Sequence, residues 1–201
     1  RGYRLLVGRA PLRETLAAGI ILLSYWKEDR VLLDPFTGSG TIPIEAALIG
    51  NDIAPGILRN FAYENLPGGK EICKNIRDEA KGRIKENQLR IFGYDIDPKA
   101  VGLAVKHAES AGVSKYIHFQ KADMRSFSSR FAHGIIITNP PYGERLNDVD
   151  IASLYRDFFK MYTSLDSWSA YVLSSFRDTE KSFGKRADKI RKLYNSEIEC
   201  N

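Results

Sequence analysis

The chain has 201 residues, 43% of them hydrophobic and 27% charged, which is the composition of a globular domain with a sizeable core. Its formal net charge of +5 and its isoelectric point of about 9.1 favour a polyanionic partner without identifying one. Two isolated cysteines, Cys73 and Cys200, are too few for a disulfide framework or a zinc site and favour a reducing compartment. No apolar run has the length of a membrane span and no signal peptide opens the sequence, so a cytoplasmic protein without membrane contact is expected.

A single domain is predicted for residues 1–201, with no internal repeat and no low-complexity tract. The chain opens at Arg1 without an initiator methionine and ends at Asn201 within a predicted strand. We therefore expect it to be a fragment of a longer protein.

The first strand-and-helix unit begins at Arg30. The apolar run Arg30–Phe36 predicts a strand, the glycine-containing segment Thr37–Thr41 interrupts it, and a helical pattern follows through Leu48. Residues 52–87 then form an insertion before the second strand. Within this insertion, apolar residues at every fourth position predict a single helical stripe: Ile72, Ile76, Ala80 and Ile84.

Strands and helices alternate through the rest of the chain. Apolar runs predict four further strands, at Ile91–Asp97, Ile117–Asp123, Gly134–Tyr142 and Ser169–Ser175. Helical patterns follow the second and fourth strands of the chain, over Pro98–Gly112 and Ile151–Leu165. This alternation is typical of a parallel sheet with helices on both faces. Near the end, KLY and EIEC flank Asn195-Ser196, which predicts a tight hairpin of antiparallel edge strands.

Ligands bind open parallel sheets beyond the carboxyl ends of the strands. The first strand ends in DPFTGSGT, residues 34–41, where Gly38 and Gly40 permit positive φ and let the backbone approach a ligand above a helix N-terminus. The dinucleotide fingerprint has a third glycine where this chain has Pro43, so the segment is a different motif. A purely structural turn is the alternative interpretation.

Two later strands also end in a carboxylate. Asp95 lies where an acidic residue accepts hydrogen bonds from the two hydroxyls of a ribose. Asp97, directly before Pro98, is predicted instead to cap the following helix. Asp123 could accept from an adenine amino group, with Met124 packing on the ring, although a helix cap or a surface carboxylate explains Asp123 equally well.

The fourth strand ends in the motif NPPY, residues 139–142, after the strand formers Ile135–Thr138. An aryl amine is a poor nucleophile because its lone pair is delocalised into the ring. The amide oxygen of Asn139 and the backbone carbonyl of Pro140 can accept its N–H groups and aim the nitrogen at a sulfonium methyl group. Tyr142 offers a ring on which an unstacked base can lie. The motif therefore predicts methyl transfer to an exocyclic amine of a nucleic-acid base.

In chain order, DPFTGSGT, YDID, KAD and NPPYGERL resemble the motifs of class I S-adenosylmethionine-dependent methyltransferases that act on exocyclic amines. NPPY alone is shared with DNA adenine and protein glutamine methyltransferases, so it specifies the reaction more than the substrate. The opening RGYR with APLRETLAAGI, and the insertion NDIAPGILRNFAYE, narrow the resemblance to RNA guanine-N2 methyltransferases that carry an N-terminal THUMP domain. Many members of that family were first labelled N6-adenine-specific DNA methylases.

This resemblance implies a Rossmann-like α/β fold with a mostly parallel seven-stranded sheet and a C-terminal antiparallel hairpin. It also implies S-adenosylmethionine as the cofactor, ribosomal or transfer RNA as the partner, no metal, and a monomer whose THUMP domain would precede Arg1. Two alternatives stay open: a DNA adenine-N6 methyltransferase, and a nucleotide-binding Rossmann domain without transferase activity. Pro43 and the NPPY motif argue against the nucleotide-binding domain without transferase activity.

Residue roles follow from the resemblance position by position. The implied cofactor-binding residues are Ala10, Pro11, Leu12, Asp34, Phe36, Thr37, Gly38, Gly40, Thr41, Asp95, Ile96, Asp123, Met124 and Asn139. The implied catalytic residues are Asn139, Pro140 and Tyr142. The loop 10–12 and the glycine segment would surround the methionine part of the cofactor, with Asp34 near its amino group.

Two basic segments are candidate RNA contacts outside the pocket. Residues 177–192 carry seven lysines and arginines against three acidic residues, an excess that a solvated helix face explains nearly as well. The insertion has the same ambiguity because its basic and acidic residues are interspersed. Glu144 and Arg145 are either substrate contacts or a solvated rim. No role is assigned to the three histidines, which share no metal-binding spacing: His107, His118 and His133.

Overall fold

The structure is a computed structural model that describes residues 2–4, 12–141 and 151–201. Its central strands are β1 Leu32–Asp34, β2 Ile91–Asp95, β3 Ile117–Lys121, β4 Ile135–Thr138 and β5 Ser169–Val172. They form one parallel sheet in the order β3-β2-β1-β4-β5. The chain runs outward from β1 to β3 and then returns to the other side of β1, so the strand order reverses between β1 and β4. Such a reversal is where α/β sheets open a ligand-binding crevice.

Helices cover both faces of this sheet. They are α1 Glu14–Leu23, α2 Thr41–Gly50, α3 Gly69–Gly82, α4 Pro98–Ser110, α5 Ile151–Thr163 and α6 Thr179–Phe183. Residues of α1, α2 and α4 pack on one face with Leu32 and Ile135, whereas α5 packs on the other with Leu33 and Ile136. Successive strand residues point to opposite faces, which divides the core in this way. In the described ranges, no helix has both the length and the apolar character that crossing a membrane requires.

The predicted α/β class is confirmed, but the prediction of seven strands in one sheet is wrong. The last two strands, β6 Leu193–Asn195 and β7 Ile198–Cys200, form a separate antiparallel hairpin. Ser174, two residues beyond β5, and Asn201 exchange both backbone hydrogen bonds, at 2.9 and 2.8 Å. The hairpin strands have three residues each. This pair of hydrogen bonds joins the hairpin to the segment after β5 without adding a strand to the sheet.

The turn of this hairpin lies one residue later than predicted. Asn195 pairs with Ile198 in the ladder, so the two-residue loop is Ser196-Glu197 rather than Asn195-Ser196. Ser196 has φ of 60°, the left-handed conformation that tight hairpin loops need. Asn195 is buried. The paired residues Leu193 and Cys200 pack together in the core, and this packing fixes the register.

The predicted strands are longer than the observed ones because their last residues leave the ladder. The predicted strand Arg30–Phe36 is observed only as β1, which ends at Asp34. The carboxylate of Asp34 accepts the backbone N–H of Phe36, and Asp95 accepts that of Asp97 in the same way. These local bonds compete with the sheet for the backbone donors. Each strand therefore ends where its polar segment begins.

The carboxylates that follow β2 and β3, Asp97 and Asp123, act as caps. Asp97 accepts the backbone N–H of Lys99 at 2.8 Å, and Pro98 takes the first position of α4, so the cap prediction is confirmed. Asp123 accepts the backbone N–H of Arg125 at 2.9 Å and caps a short 3-10 turn. The two capping bonds fix the direction in which the chain leaves β2 and β3.

The apolar stripe predicted in the insertion is a helix, but its apolar face is exposed. Helix α3 ends at Gly82, so Ile84 lies beyond it. Ile72 and Ile76 are 43% and 59% exposed, whereas Cys73 is buried. The stripe therefore contributes little to the core of the described chain.

Candidate functional site

Polar residues from three adjacent strands meet at the carboxyl edge of the sheet. Asp34 ends β1, Asp95 ends β2 and Thr138 ends β4, and β1 lies between the other two strands. The Thr138 hydroxyl donates to Asp34, and Asp95 accepts the Gly38 N–H from the loop that follows β1. Residues predicted from separate sequence segments thus lie in one site, at the point where the strand order reverses.

Asp34 is a buried carboxyl group at the centre of this site. It is 2% exposed, and its Oδ1 accepts the Thr138 hydroxyl at 2.6 Å and the Phe36 N–H at 3.3 Å. Removal from water raises the pKa of Asp34 to about 7, although these hydrogen bonds act in the opposite direction. The negative charge of Asp95 raises it further. Asp34 is therefore suited to change protonation when a cation comes close.

Burial of Asp34 should make the free protein less stable as the pH rises from about 4 to about 7. Its pKa is about 7 in the folded protein and near the ordinary aspartate value of 3.8 in the unfolded chain, which therefore binds fewer protons across this window. The free energy of unfolding should fall by up to about 1.4 kcal/mol per pH unit through this group. Urea unfolding at several pH values should show that the free energy of unfolding of Asp34→Asn lacks this dependence on pH. The exposed control Asp29→Asn should keep it. Equal slopes in Asp34→Asn and wild type would contradict the raised pKa.

The loop between β1 and α2 is held by backbone hydrogen bonds. The Thr37 N–H donates to the Tyr94 carbonyl and the Gly40 N–H donates to the Thr37 carbonyl, each at 2.8 Å. Gly40 has φ of 82°, and a Cβ at this position would lie 2.9 Å from the Cβ of Ala104. Both facts require glycine, and they show how closely the loop packs against α4.

Gly38 borders open space instead. Its φ is 52°, and a Cβ there would meet no atom of the described residues within 4 Å. Its backbone N–H donates to Oδ2 of Asp95 at 2.9 Å. The loop thus leaves room beside the N-terminus of α2, as the predicted cofactor requires.

Asp95 supports the loop as well as bordering the site. Its two oxygens accept the backbone N–H groups of Asp97 and Gly38. Each carboxylate oxygen has a second lone pair, so the group can still accept ribose hydroxyls. Sequence reasoning missed Gly93, where a Cβ would lie 2.8 Å from the Thr37 hydroxyl. A glycine inside a strand is the signal for such a close approach.

The residues predicted to bind adenine follow β2 and β3. Ile96, directly after Asp95, is 67% exposed and offers an apolar surface at the sheet edge. Asp123 uses one oxygen for its cap and lies 3.7 Å from the guanidinium of Arg125. Both positions border the same edge as the glycine loop, and their adenine contacts stay predictions.

Two predicted cofactor residues, Met124 and Phe36, belong largely to the core. Met124 is 3% exposed and packs in the cluster formed with α5. Phe36 is partly buried, and its ring lies edge-on to that of Phe158, with centroids 5.7 Å apart. Any contact of these side chains with a cofactor is therefore limited to their few exposed atoms.

Asn139 and Pro140 directly follow Thr138 at the end of β4. Oδ1 of Asn139 is buried and has no hydrogen-bond partner among the described residues. Leaving a buried acceptor unpaired costs about 1–3 kcal/mol, so a donor from a ligand would be bound favourably here. Pro140 is buried as well. Three neighbouring predictions lie outside the described residues: Tyr142, Glu144 and Arg145.

The opening segment reaches the site through Arg4. Its guanidinium donates to the Leu12 carbonyl and, at 2.7 Å, to the hydroxyl of Thr41, the first residue of α2. Its Nε lies 3.3 Å from Glu14. Leu12 is buried in the core. Sequence reasoning missed these contacts because a lone arginine carries no signal for them. Two further predicted residues lie outside the described ranges: Ala10 and Pro11.

Part of the basic segment 177–192 lies at the edge of the sheet opposite the site. Lys185 lines a surface groove with Trp168, which directly precedes β5, so this part lies at the amino edge of the sheet. Lys192 is paired with Glu199 at 2.7 Å. An RNA held at the carboxyl edge would have to pass around the sheet to reach Lys185.

Comparisons with known proteins agree with this geometry. The profile of the UPF0020 family, described as an RMKL-like methyltransferase domain, matches residues 1–201. YpsC of Bacillus subtilis, named as a candidate RNA methyltransferase, is 42% identical over 204 residues, which cover 100% of this chain and 53% of YpsC. Ribosomal RNA large subunit methyltransferase K/L of Shewanella amazonensis is 41% identical over 211 residues, which cover 100% of this chain and 30% of the relative.

Solved structures include a similar domain with a ligand. SMU.472, described as a candidate methyltransferase complexed with SAH, superposes with a TM-score of 0.92 at 40% identity, covering 99% of this chain and 53% of the solved one. This chain therefore spans about half, or less, of the length of these three proteins.

Proposed function

Since this chain belongs to the UPF0020 family of RMKL-like methyltransferase domains, we propose that it transfers a methyl group from S-adenosylmethionine to an exocyclic amine of an RNA base. The sequence motifs favour N2 of guanine in ribosomal or transfer RNA. The observation that carries the proposal is Oδ1 of Asn139, a buried acceptor without a partner in the described chain. It lies at the sheet edge that also holds Asp34 and Asp95.

The described residues fit this cofactor at three places. The open space beside Gly38 suits the methionine part, and the remaining lone pairs of Asp95 suit the ribose hydroxyls. The exposed side chain of Ile96 suits the apolar face of adenine. When bound, S-adenosylmethionine supplies a methyl group on a sulfonium, which an amine nitrogen can attack directly. The related SMU.472 binds SAH, the product that such a transfer leaves.

Asp34 would accept from the positively charged amino group of the methionine part. A cation beside a buried carboxyl group favours its ionised form, so Asp34 can lose its proton as the site fills. Thr138 donates to the same carboxyl group. This bond fixes the end of β4 relative to β1, and with it the spacing between the cofactor and the next residue, Asn139.

Asn139 and Pro140 would orient the target amine. The amide oxygen of Asn139 accepts one N–H and the carbonyl of Pro140 accepts the other, which turns the nitrogen lone pair toward the methyl group. The Asn139 side chain is neutral and cannot act as a strong base. The surplus proton leaves after the transfer, because an N-alkylated aryl ammonium is strongly acidic. Tyr142 is proposed to stack on the base.

Two other functions have less support. Adenine-N6 methylation of DNA would use the same Asn-Pro-Pro-Tyr chemistry, so the geometry of the site does not separate it from the proposal. RNA is favoured by the opening and insertion motifs and by relatives named for RNA methylation. A nucleotide-binding domain without transferase activity would not need the unpaired acceptor Oδ1 of Asn139.

Capture of the RNA is proposed to rely on a THUMP domain N-terminal to this one. The relative YpsC is nearly twice as long as the part that matches this chain. Within the described part of this chain, the basic residues of 177–192 lie partly at the wrong edge of the sheet for a substrate at Asn139. A second RNA-binding element therefore fits the geometry better than this segment alone.

Mass spectrometry of nucleosides tests the proposed function. Ribosomal and transfer RNA from a strain that lacks the gene should have lost N2-methylguanosine. The full-length gene should restore it, and the same gene with Asn139→Ala should not. Loss of N6-methyladenine from DNA, with RNA unchanged, would establish the DNA alternative instead. No change in either polymer would contradict methyl transfer to nucleic acid.

A further inference from the structure

His107 lies inside the protein directly beneath the glycine loop. It belongs to α4 and is 1% exposed. Its Nδ1 lies 3.1 Å from the backbone carbonyl of Ser39, which is 68 positions earlier in the chain. A carbonyl oxygen only accepts hydrogen bonds, so Nδ1 carries the hydrogen and donates it. None of the roles in the proposed reaction uses this histidine.

Ser39 stands between the two glycines of the loop. Gly38 and Gly40 have φ of 52° and 82°, and glycine backbone has wide conformational freedom. The Ser39 carbonyl and the Gly40 N–H belong to one planar peptide unit, and that N–H donates to the Thr37 carbonyl. A donor to the Ser39 carbonyl therefore fixes the orientation of this peptide, and with it the start of α2.

The imidazole of His107 is itself held in place. The ring of Tyr3 lies edge-on to it, with centroids 6.5 Å apart. The Tyr3 hydroxyl donates to Glu45 of α2 at 2.9 Å, and both residues are buried. A donor packed between α2 and α4 cannot follow a displaced loop, so the bond favours one loop position.

We propose that His107 is a positioning residue for the cofactor-binding loop. It fixes the Ser39–Gly40 peptide from beneath, while Asp95 holds Gly38 from the side of β2. The loop is then already in its binding conformation before the cofactor arrives, and less ordering is required on binding. This inference rests on the proposed function, because the ligand of the loop is the cofactor proposed above.

Two substitutions separate the donor of His107 from its volume. His107→Phe keeps a ring without the donor, whereas His107→Asn keeps an N–H donor at the same number of bonds from the main chain. Calorimetry should show S-adenosylmethionine binding about tenfold weaker in His107→Phe, the scale of one hydrogen bond. The affinity of His107→Asn for S-adenosylmethionine should stay within about threefold of the wild-type affinity. The rate constant at saturating cofactor should change little in either variant.

Amide hydrogen exchange of residues 37–41 in the cofactor-free protein gives a readout that does not depend on the ligand. Exchange should be faster in His107→Phe and near the wild-type rate in His107→Asn. The exposed control His118→Phe should change neither exchange nor affinity.

A histidine with only a structural role would lower the thermal stability of the His107 variants and leave affinity and loop exchange unchanged. That result would overturn the proposal, as would equal losses in His107→Asn and His107→Phe. A wild-type protein that does not bind S-adenosylmethionine would refute the proposed function instead. Amide hydrogen exchange of residues 37–41 in the variants would then still decide whether His107 positions the loop.

Discussion

Replacing Asn139 with alanine should slow methyl transfer by about two to three orders of magnitude, the range seen when one preorganised polar group is lost from an active site. Its Oδ1 is buried and unpaired in the described part of the chain. In the proposed reaction it accepts an N–H of the target amine, and alanine leaves that amine without an orienting partner. Cofactor affinity should change little, because the principal cofactor contacts are proposed to come from the loop after β1 and from the end of β2.

Single-turnover methyl transfer to RNA, with calorimetry for the cofactor, checks both parts of this prediction. Asn75→Ala, on the exposed part of α3, is the matched control and should behave as wild type. A wild-type single-turnover rate in Asn139→Ala would show that the segment is a structural turn. A weaker affinity with an unchanged rate would assign Asn139 to the cofactor site alone.

Replacing Asp95 with alanine should weaken S-adenosylmethionine binding by about 1–3 kcal/mol, the scale of hydrogen bonds to a charged acceptor. A second effect follows from the structure, because Asp95 also accepts the backbone N–H groups of Gly38 and Asp97, at 2.9 Å each. Loss of these bonds should loosen the glycine loop. The free energy of unfolding should fall by about 1–3 kcal/mol in the same variant.

The neighbouring Asp97 supplies the control that separates the two effects. Asp97→Ala removes only the cap of α4, which should cost about 1 kcal/mol of stability and leave cofactor affinity unchanged. Calorimetry and urea unfolding on both variants give the comparison. If Asp95→Ala binds the cofactor as tightly as wild type, Asp95 has no place in the binding site.

The sequence by itself determined the order of strands, loops and helices and the edge of the sheet where the site lies. The apolar run at Ile135 reflects burial on both faces, and the polar residues after the runs at Ile91 and Ile135 mark the strand ends. The cap at Asp97 was predictable because Asp before Pro acts within two residues of chain. Local chemistry was sufficient for each of these features.

Predictions from the sequence were wrong where several local conformations have similar energies. Asn195-Ser196 and Ser196-Glu197 both have the length of a hairpin loop, and core packing of the Leu193–Cys200 pair selects the second. The apolar stripe Ile72–Ile84 predicts a helix correctly, but its period cannot show that the face stays exposed. Periodicity reports which residues share a face, whereas packing depends on what lies opposite.

Only the tertiary structure decided how the site works. Gly38 bonds to Asp95 across 57 positions of sequence, and His107 bonds to Ser39 across 68. The raised pKa of Asp34 comes from its removal from water, which no neighbour in sequence reports. Hydrogen bonds between distant segments, and the burial of charged or polar groups, depend on the assembled sheet. The local sequence pattern specifies the helices and strands. Their packing sets the electrostatics of the site and the hydrogen bonds that hold its loops.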